Sequence, residues 1–252
     1  MRSMRWIIAL AMALFGIVSY YTSTSENPVT GEKQRVQLKP EEEIALGRQL
    51  APQMAAQFGG ATKGPRAERV REVGERIIAR SSAAKTPYKY SFYLLADPKT
   101  VNAFALPGGQ IFITEALLRL LNSEDELAAV LGHEVGHVLA RHSAEHLAKQ
   151  QLTQQLIGAV AVGSGSYDTA QLAQLAGSLV NMKHGRDDEL ESDALGLRLT
   201  REAGYDPRAM IAVMQALEKA SGGSRQPEFA STHPSPVNRI QRIKEQLDKM
   251  QK

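Results

Sequence analysis

Between Leu127 and Ala140 the chain is almost wholly apolar, yet this run carries His133, Glu134 and His137 at its centre. Ser123, followed three residues later by Glu126, is a capping box that opens a helix through Leu127, Val130, Leu131, His137 and Val138. A solvated helix would show a charged face, whereas Leu131 before the polar trio and Val138 and Leu139 after it place this one at the buried floor of a cleft. The rest of the chain must supply the walls.

Within that helix His133-Glu134-Val135-Gly136-His137 is an H-E-x-x-H arrangement. Residues four apart sit one turn above each other, so the two imidazoles aim at one point and can give two ligands to a tetrahedral zinc. Glu134 lies alongside, placed to activate a water. The competing pattern, His142-Ser143-Ala144-Glu145-His146, is an inverted H-x-x-E-H on what reads as the same helix. Nine residues at about 100° each turn His142 half a revolution from His133, so the two pairs cannot share a metal. Arg141, Glu145, Lys149, Gln150 and Gln151 surround the second pair, which is expected at the surface or in an outer polar layer.

The chain contains no cysteine, which excludes disulfides, thiolate zinc sites, Cys nucleophiles and a lipidated N-terminal Cys. A third ligand must then be His, Glu or Asp from another element. Asp187-Asp188-Glu189-Leu190-Glu191-Ser192-Asp193 offers one. On a helix Glu189 and Asp193 share a face, so Glu189 can reach the metal while Asp193 hydrogen-bonds the outer nitrogen of a ligand histidine. Glu191 points about 200° away and is the weaker candidate. Taken alone, these acids would be an ordinary acidic helix start beside Arg186; the H-E-x-x-H motif tips the reading toward ligands.

Around this centre the pattern is mixed, then helical. Pro40 with Glu41 to Glu43 opens a helix. Residues 67–79 repeat apolar side chains at helical spacing, and Tyr88 to Leu95, Val101 to Leu106 and Gln110 to Thr114 read as strands, the last two joined by Pro107-Gly108-Gly109. Later helices are expected over residues 151–182 as a hairpin broken by Gly and Ser, over Asp187 to Ala203 closed by Gly204, and over Pro207 to Ala220 and Pro236 to Met250. Residues 1–25 read as a signal peptide or N-terminal anchor: Arg2 and Arg5 precede twelve apolar residues, Ile7 to Val18, fewer than a bilayer crossing needs. Residues 26–252 read as a single domain. The formal charge of +3 is mostly due to Arg2 and Arg5; without residues 1–25 there are 28 basic against 27 acidic residues, which gives no electrostatic reason to propose nucleic acid.

Several motifs together resemble one family. Asn27-Pro28-Val29-Thr30-Gly31, Asn102-Ala103-Phe104-Ala105 with Pro107-Gly108-Gly109, the H-E-x-x-H itself, Arg186-Asp187-Asp188-Glu189 with Ser192-Asp193, and Thr232-His233-Pro234 with Arg239 follow in the order found in the CAAX-prenyl-protease and HtpX-like zinc metallopeptidases, which are gluzincins. The resemblance covers most of residues 27–245. It implies a zincin-like α+β fold, predominantly helical, with a small β-sheet packed on the active-site helix. It also implies one Zn2+ per chain on His133, His137 and Glu189, with Glu134 as general base and Asp193 behind the ligands. The chain lacks the membrane helices of embedded relatives and is too short for the tetratricopeptide array of some exported ones, so it resembles a minimal exported type, periplasmic or attached to the membrane facing the periplasm.

The expected function is metal-assisted hydrolysis of peptide bonds. The resemblance implies unfolded or misassembled envelope proteins as substrates. A non-proteolytic chaperone or binding module with a structural zinc is the alternative; it requires four protein ligands and no Glu134. A hydrolase of small amides is a second rival. Asn102, Ala103, Phe104 and Ala105 are either a plain strand or an edge strand that pairs with an extended substrate. His233 and Arg239 would by default be exposed; the resemblance draws them to the site, where either can donate to an oxyanion, or His233 can fill the fourth zinc position as a latch.

Overall fold

The computed structural model describes residues 2–164, 185–221, 229, 232–233 and 239–250. They form two compact units. The first comprises the N-terminal residues to Lys39 together with a segment starting at Ser143. In it α1 (Arg2–Thr22) leads into a hairpin of β1 (Thr24–Glu26) and β2 (Lys33–Arg35), paired from Thr24↔Arg35 to Glu26↔Lys33. The hairpin closes because Asn27 Oδ1 accepts from Val29 N at 2.8 Å and Thr30 N at 3.2 Å, an Asx turn, while Gly31 takes φ 73°. The twelve-residue apolar run read from sequence extends into a 21-residue helix. At 1.5 Å per residue this is about 31 Å, long and apolar enough to cross a bilayer over Met4–Thr22. α6 (His142–Ser164) belongs here except for its first residue. The expected helical hairpin is described only as far as Ser164; its remainder lies outside the described residues.

The second unit holds the sheet and the H-E-x-x-H helix. α2 (Pro40–Gln57) starts at the expected proline with three glutamates in its first turn, and α3 (Pro65–Arg80) buries Val70, Val73 and Ile77 on one stripe. The sheet has the order β3-β5-β4, built from β3 (Ser91–Leu95), β4 (Ala103–Leu106) and β5 (Gln110–Thr114). β3 runs parallel to β5, and β4 is the antiparallel edge strand, with Phe104 opposite Phe112. Gly108 (φ 78°) and Gly109 (φ 111°) make the turn between them, where a side chain would be strained. β3 is shorter than its aromatic pattern predicts: Lys89 N donates to Gly108 O in that turn, so Tyr88 to Tyr90 run beside the turn and join no ladder.

After a short α4 (Glu115–Leu118), Ser123 Oγ caps α5 (Glu124–Leu139) by accepting from Glu126 N. Every residue of α5 from Leu127 onward is buried, as the apolar run requires. α7 (Arg186–Glu202) packs along it. α8 (Ala209–Ser221) and α9 (Arg239–Met250) complete the described helices of the unit. The result is a predominantly helical α+β fold with a small sheet on the metal-site helix, as the resemblance implies.

Candidate metal centre

Small residues set how closely α5 and α7 approach. A Cβ on Gly136 would lie 2.8 Å from Ser192 O, and one on Gly196 would lie 2.9 Å from His133 N. Real Cβ atoms do not sit so near backbone, so these glycines let the two helices touch along their main chains. That contact brings the histidines of α5 and the carboxylates of α7 together. His133 Nε2 lies 3.0 Å from His137 Nε2 and 3.4 Å from Glu189 Oε2, while His137 Nε2 lies 3.4 Å from Glu189 Oε1. His233 enters the same space, with Nδ1 at 2.9 Å from Glu189 Oε1 and 3.4 Å from His133 Nε2. All four side chains are buried, and one potential ligand atom from each falls within 4.8 Å of the others.

The donor set fits a zinc ion. A tetrahedron with bonds of 2.0–2.1 Å has edges of about 3.3 Å, close to the spacings just given. Acceptor lone pairs converge there from four sides, an arrangement that only a positive charge stabilises. His133 registers that demand: burial opposes its charged form, but Asp193 and Glu189 outweigh it and hold its pKa up at about 9. Glu189 would be pushed up by burial, yet His233, His133 and His137 pull it well below the carboxylate range.

Asp193 Oδ1 stands 3.0 Å from His133 Nδ1, an ion-pair distance without the alignment of a good hydrogen bond. Burial raises the Asp193 pKa and Arg239 more than reverses this. Arg239, which the resemblance draws to the site, is 2% exposed, although a terminal-helix arginine is by default expected in solvent. Its Nε and one terminal nitrogen donate to Asp193 at 2.7 and 2.8 Å, and the other lies 3.0 Å from Glu189 Oε2. With each of its three nitrogens facing a carboxylate, Arg239 aligns the ligand shell.

Glu134 is fully buried, and neither of its oxygens has a hydrogen-bond partner among the described residues. Burial raises its pKa, only partly offset by His233 and His133. His233 Nε2 is 3.6 Å from Glu134 Oε1.

The second histidine pair needs correction. α5 does not continue through it: Arg141 adopts φ 60° and the chain restarts as α6 at His142. A left-handed arginine costs roughly 1–2 kcal/mol, and it is held there by a buried ion pair in which Arg141 Nε donates to Glu43 Oε1 at 2.9 Å. Arg141 is therefore buried, contrary to the solvated face expected. His142 is buried too, turned back toward His137 instead of away from it, while Glu191 pairs with His142 and stays outside the cluster. His146 belongs to the first unit.

Asn102, just before β4, and Ala103 at its start are buried, and Phe104 and Ala105 are half-buried. Asn102 N donates to Thr114 Oγ1 and its carbonyl accepts from Thr114 N, so that end of the strand is tied into the sheet. Phe229 N donates to Val101 O at 2.9 Å, and the Phe229 ring stacks on His233 at 4.4 Å. The neighbouring Ser231, Pro234 and Pro236 lie outside the described residues.

A buried His-Glu-His-Glu centre on two helices beside a small mixed sheet defines a zinc metalloendopeptidase of the zincin type. The chain belongs to peptidase family M48, whose model matches residues 65–247. It is 32% identical to the mitochondrial metalloendopeptidase OMA1 of Schizosaccharomyces pombe over 98% of this chain and 73% of that protein. It is 30% identical to the beta-barrel assembly-enhancing protease of Yersinia pestis over 88% of this chain and 47% of that protein. With the Escherichia coli K12 protease of the same name it shares 31% over 72% of this chain and 39% of that protein. The chain thus spans less than half the length of those two bacterial relatives.

Proposed function

We propose that this protein cleaves peptide bonds of unfolded or misassembled cell-envelope proteins, using one Zn2+ held by His133, His137 and Glu189. The observation that carries the reading is Glu134: a buried carboxylate at the cluster whose oxygens accept no hydrogen bond among the described residues is placed to accept one from a water. Bound zinc supplies Lewis-acid polarisation and lowers the pKa of a water toward about 7. Glu134, its pKa raised by burial, takes the proton of the attacking water and hands it to the leaving amine. Asp193 and Arg239 keep His133 and Glu189 in place. The four-sided cluster would also suit a structural zinc module, but such a module has no use for an unpartnered Glu134.

His233 is read as the occupant of the fourth position in the resting protein. Two contacts support this: its Nδ1 sits among the ligand atoms, and neighbouring Phe229 N is bonded to Val101 O at the start of the edge strand. An extended substrate that pairs with β4 would compete for the same place. Export is read from α1, as a signal or an anchor, and the names of the bacterial relatives support an envelope role. Cleavage of casein or another denatured protein, abolished by a chelator and restored by zinc, is the test; a protein that retains zinc and cleaves nothing would favour the chaperone alternative.

A further inference from the structure

The two imidazoles of the H-E-x-x-H pair are backed by different chemistry. Behind His133 stands a carboxylate, Asp193. Behind His137 stands another imidazole: His137 Nδ1 lies 2.8 Å from His142 Nδ1, and His142 Nε2 lies 3.1 Å from Glu191 Oε2. Ser192 Oγ is 3.5 Å from the same His142 Nδ1.

Proton counting fixes the direction of this chain. His137 presents Nε2 to the cluster, so as a neutral ligand it carries its proton on Nδ1. His142 Nδ1 must then accept that proton's hydrogen bond. A neutral imidazole with an accepting Nδ1 bears its proton on Nε2, and that nitrogen faces Glu191 Oε2. Both short contacts are thereby satisfied by one tautomer of each ring. The backbone is shaped for it, since the left-handed turn at Arg141, braced by Glu43, is what swings His142 under His137.

We propose that His142 is a positioning residue of the metal centre. It completes a Glu191–His142–His137 relay that fixes the ring orientation and tautomer of His137 and so sets how tightly zinc is held. The proposal rests on the reading of His137 as a zinc ligand through Nε2. Outer partners of ligand histidines change metal affinity by about 10–100-fold when removed, because they fix tautomer and raise ligand basicity. Glu191, a quarter exposed at its side chain, terminates the relay toward solvent.

The experiment measures zinc affinity of the full chain by competition with a chromophoric chelator. His142→Leu should weaken zinc binding by about 10–100-fold. His142→Asn, whose Oδ1 can accept from His137 Nδ1–H, should recover most of that loss. A residue that only filled space would rank the two the other way, the apolar Leu being the better filler. Glu191→Ala, at the partly exposed end, should weaken binding less than His142→Leu, and it keeps the test alive if His142→Leu fails to fold. Parent affinity in a folded His142→Leu, Asn binding no better than Leu, or parent affinity in Glu191→Ala would each overturn the relay. His137→Ala is the control: zinc retained there sinks the ligand reading and the relay with it. Zinc lost there but undisturbed in the His142 and Glu191 variants sinks the relay alone.

Discussion

Arg239 grips Asp193 through two parallel hydrogen bonds of 2.7 and 2.8 Å, and both side chains are almost completely buried. The same guanidinium reaches Glu189, so one cation from α9 is shared by two carboxylates of α7. Removing it strands both. Arg239→Ala should destabilise the zinc-stripped protein by about 3–5 kcal/mol in urea unfolding. Arg239→Lys should recover only part, because an ammonium cannot reproduce the fork. A loss under about 1 kcal/mol for Arg239→Ala would show that the pair does not hold the shell together.

Gly136 is the only residue type that fits where α5 meets Ser192 of α7. Gly136→Ala gains helix propensity but must push the helices apart, and overpacking of this kind costs about 1–3 kcal/mol. Since the displaced helices carry opposite halves of the centre, zinc affinity should fall along with Tm. Unchanged affinity and Tm would mean that the helices have slack.

Glu134→Gln should retain stoichiometric zinc and lose hydrolysis of denatured protein, since Glu134 is read as a base and not as a ligand. Glu189→Ala should lose the metal. His146→Ala should leave zinc content unchanged. Metal analysis of the purified variants decides all three; zinc retained in Glu189→Ala would remove it from the ligand set.

The pKa of His133 fixes the sign of one pH effect. Raised from 6.5 to about 9, the protonated ring contributes stability that is complete below about pH 6.5 and is lost as pH rises through about 9. Zinc replaces that proton. The Tm of zinc-stripped protein should fall across this window, and the extra Tm conferred by zinc should grow. A zinc effect independent of pH between 6.5 and 9 would contradict the assignment.

His233→Ala separates two roles. As a latch on the fourth position its loss should raise cleavage of denatured protein above the parent rate. As an oxyanion donor its loss should lower kcat by about 10²–10³ with zinc retained. Parent activity in a folded, zinc-loaded variant would take His233 out of the mechanism.

Local rules carried the sequence a long way here. The i, i+4 spacing of His133 and His137, the Ser123 cap, the glycine turn after Pro107 and the shared face of Glu189 and Asp193 all depend on neighbours within one element, and periodicity reads such relations directly. His142 shows where that reading stops. Counting about 100° per residue from His133 is valid only while the helix continues, and it ends at Leu139, just before Arg141, whose left-handed turn is braced by Glu43, 98 residues away in sequence. Arg239 likewise looks like any solvated arginine until α9 packs on α7 and removes it from water together with its two carboxylates. The requirement for glycine at 136 is set by Ser192, on another helix. The sequence by itself determined which side chains could share a face; only the tertiary structure decided which helix ends, which buried charge meets which, and therefore what stands behind each ligand, because those contacts join residues whose distance along the chain holds no trace of them.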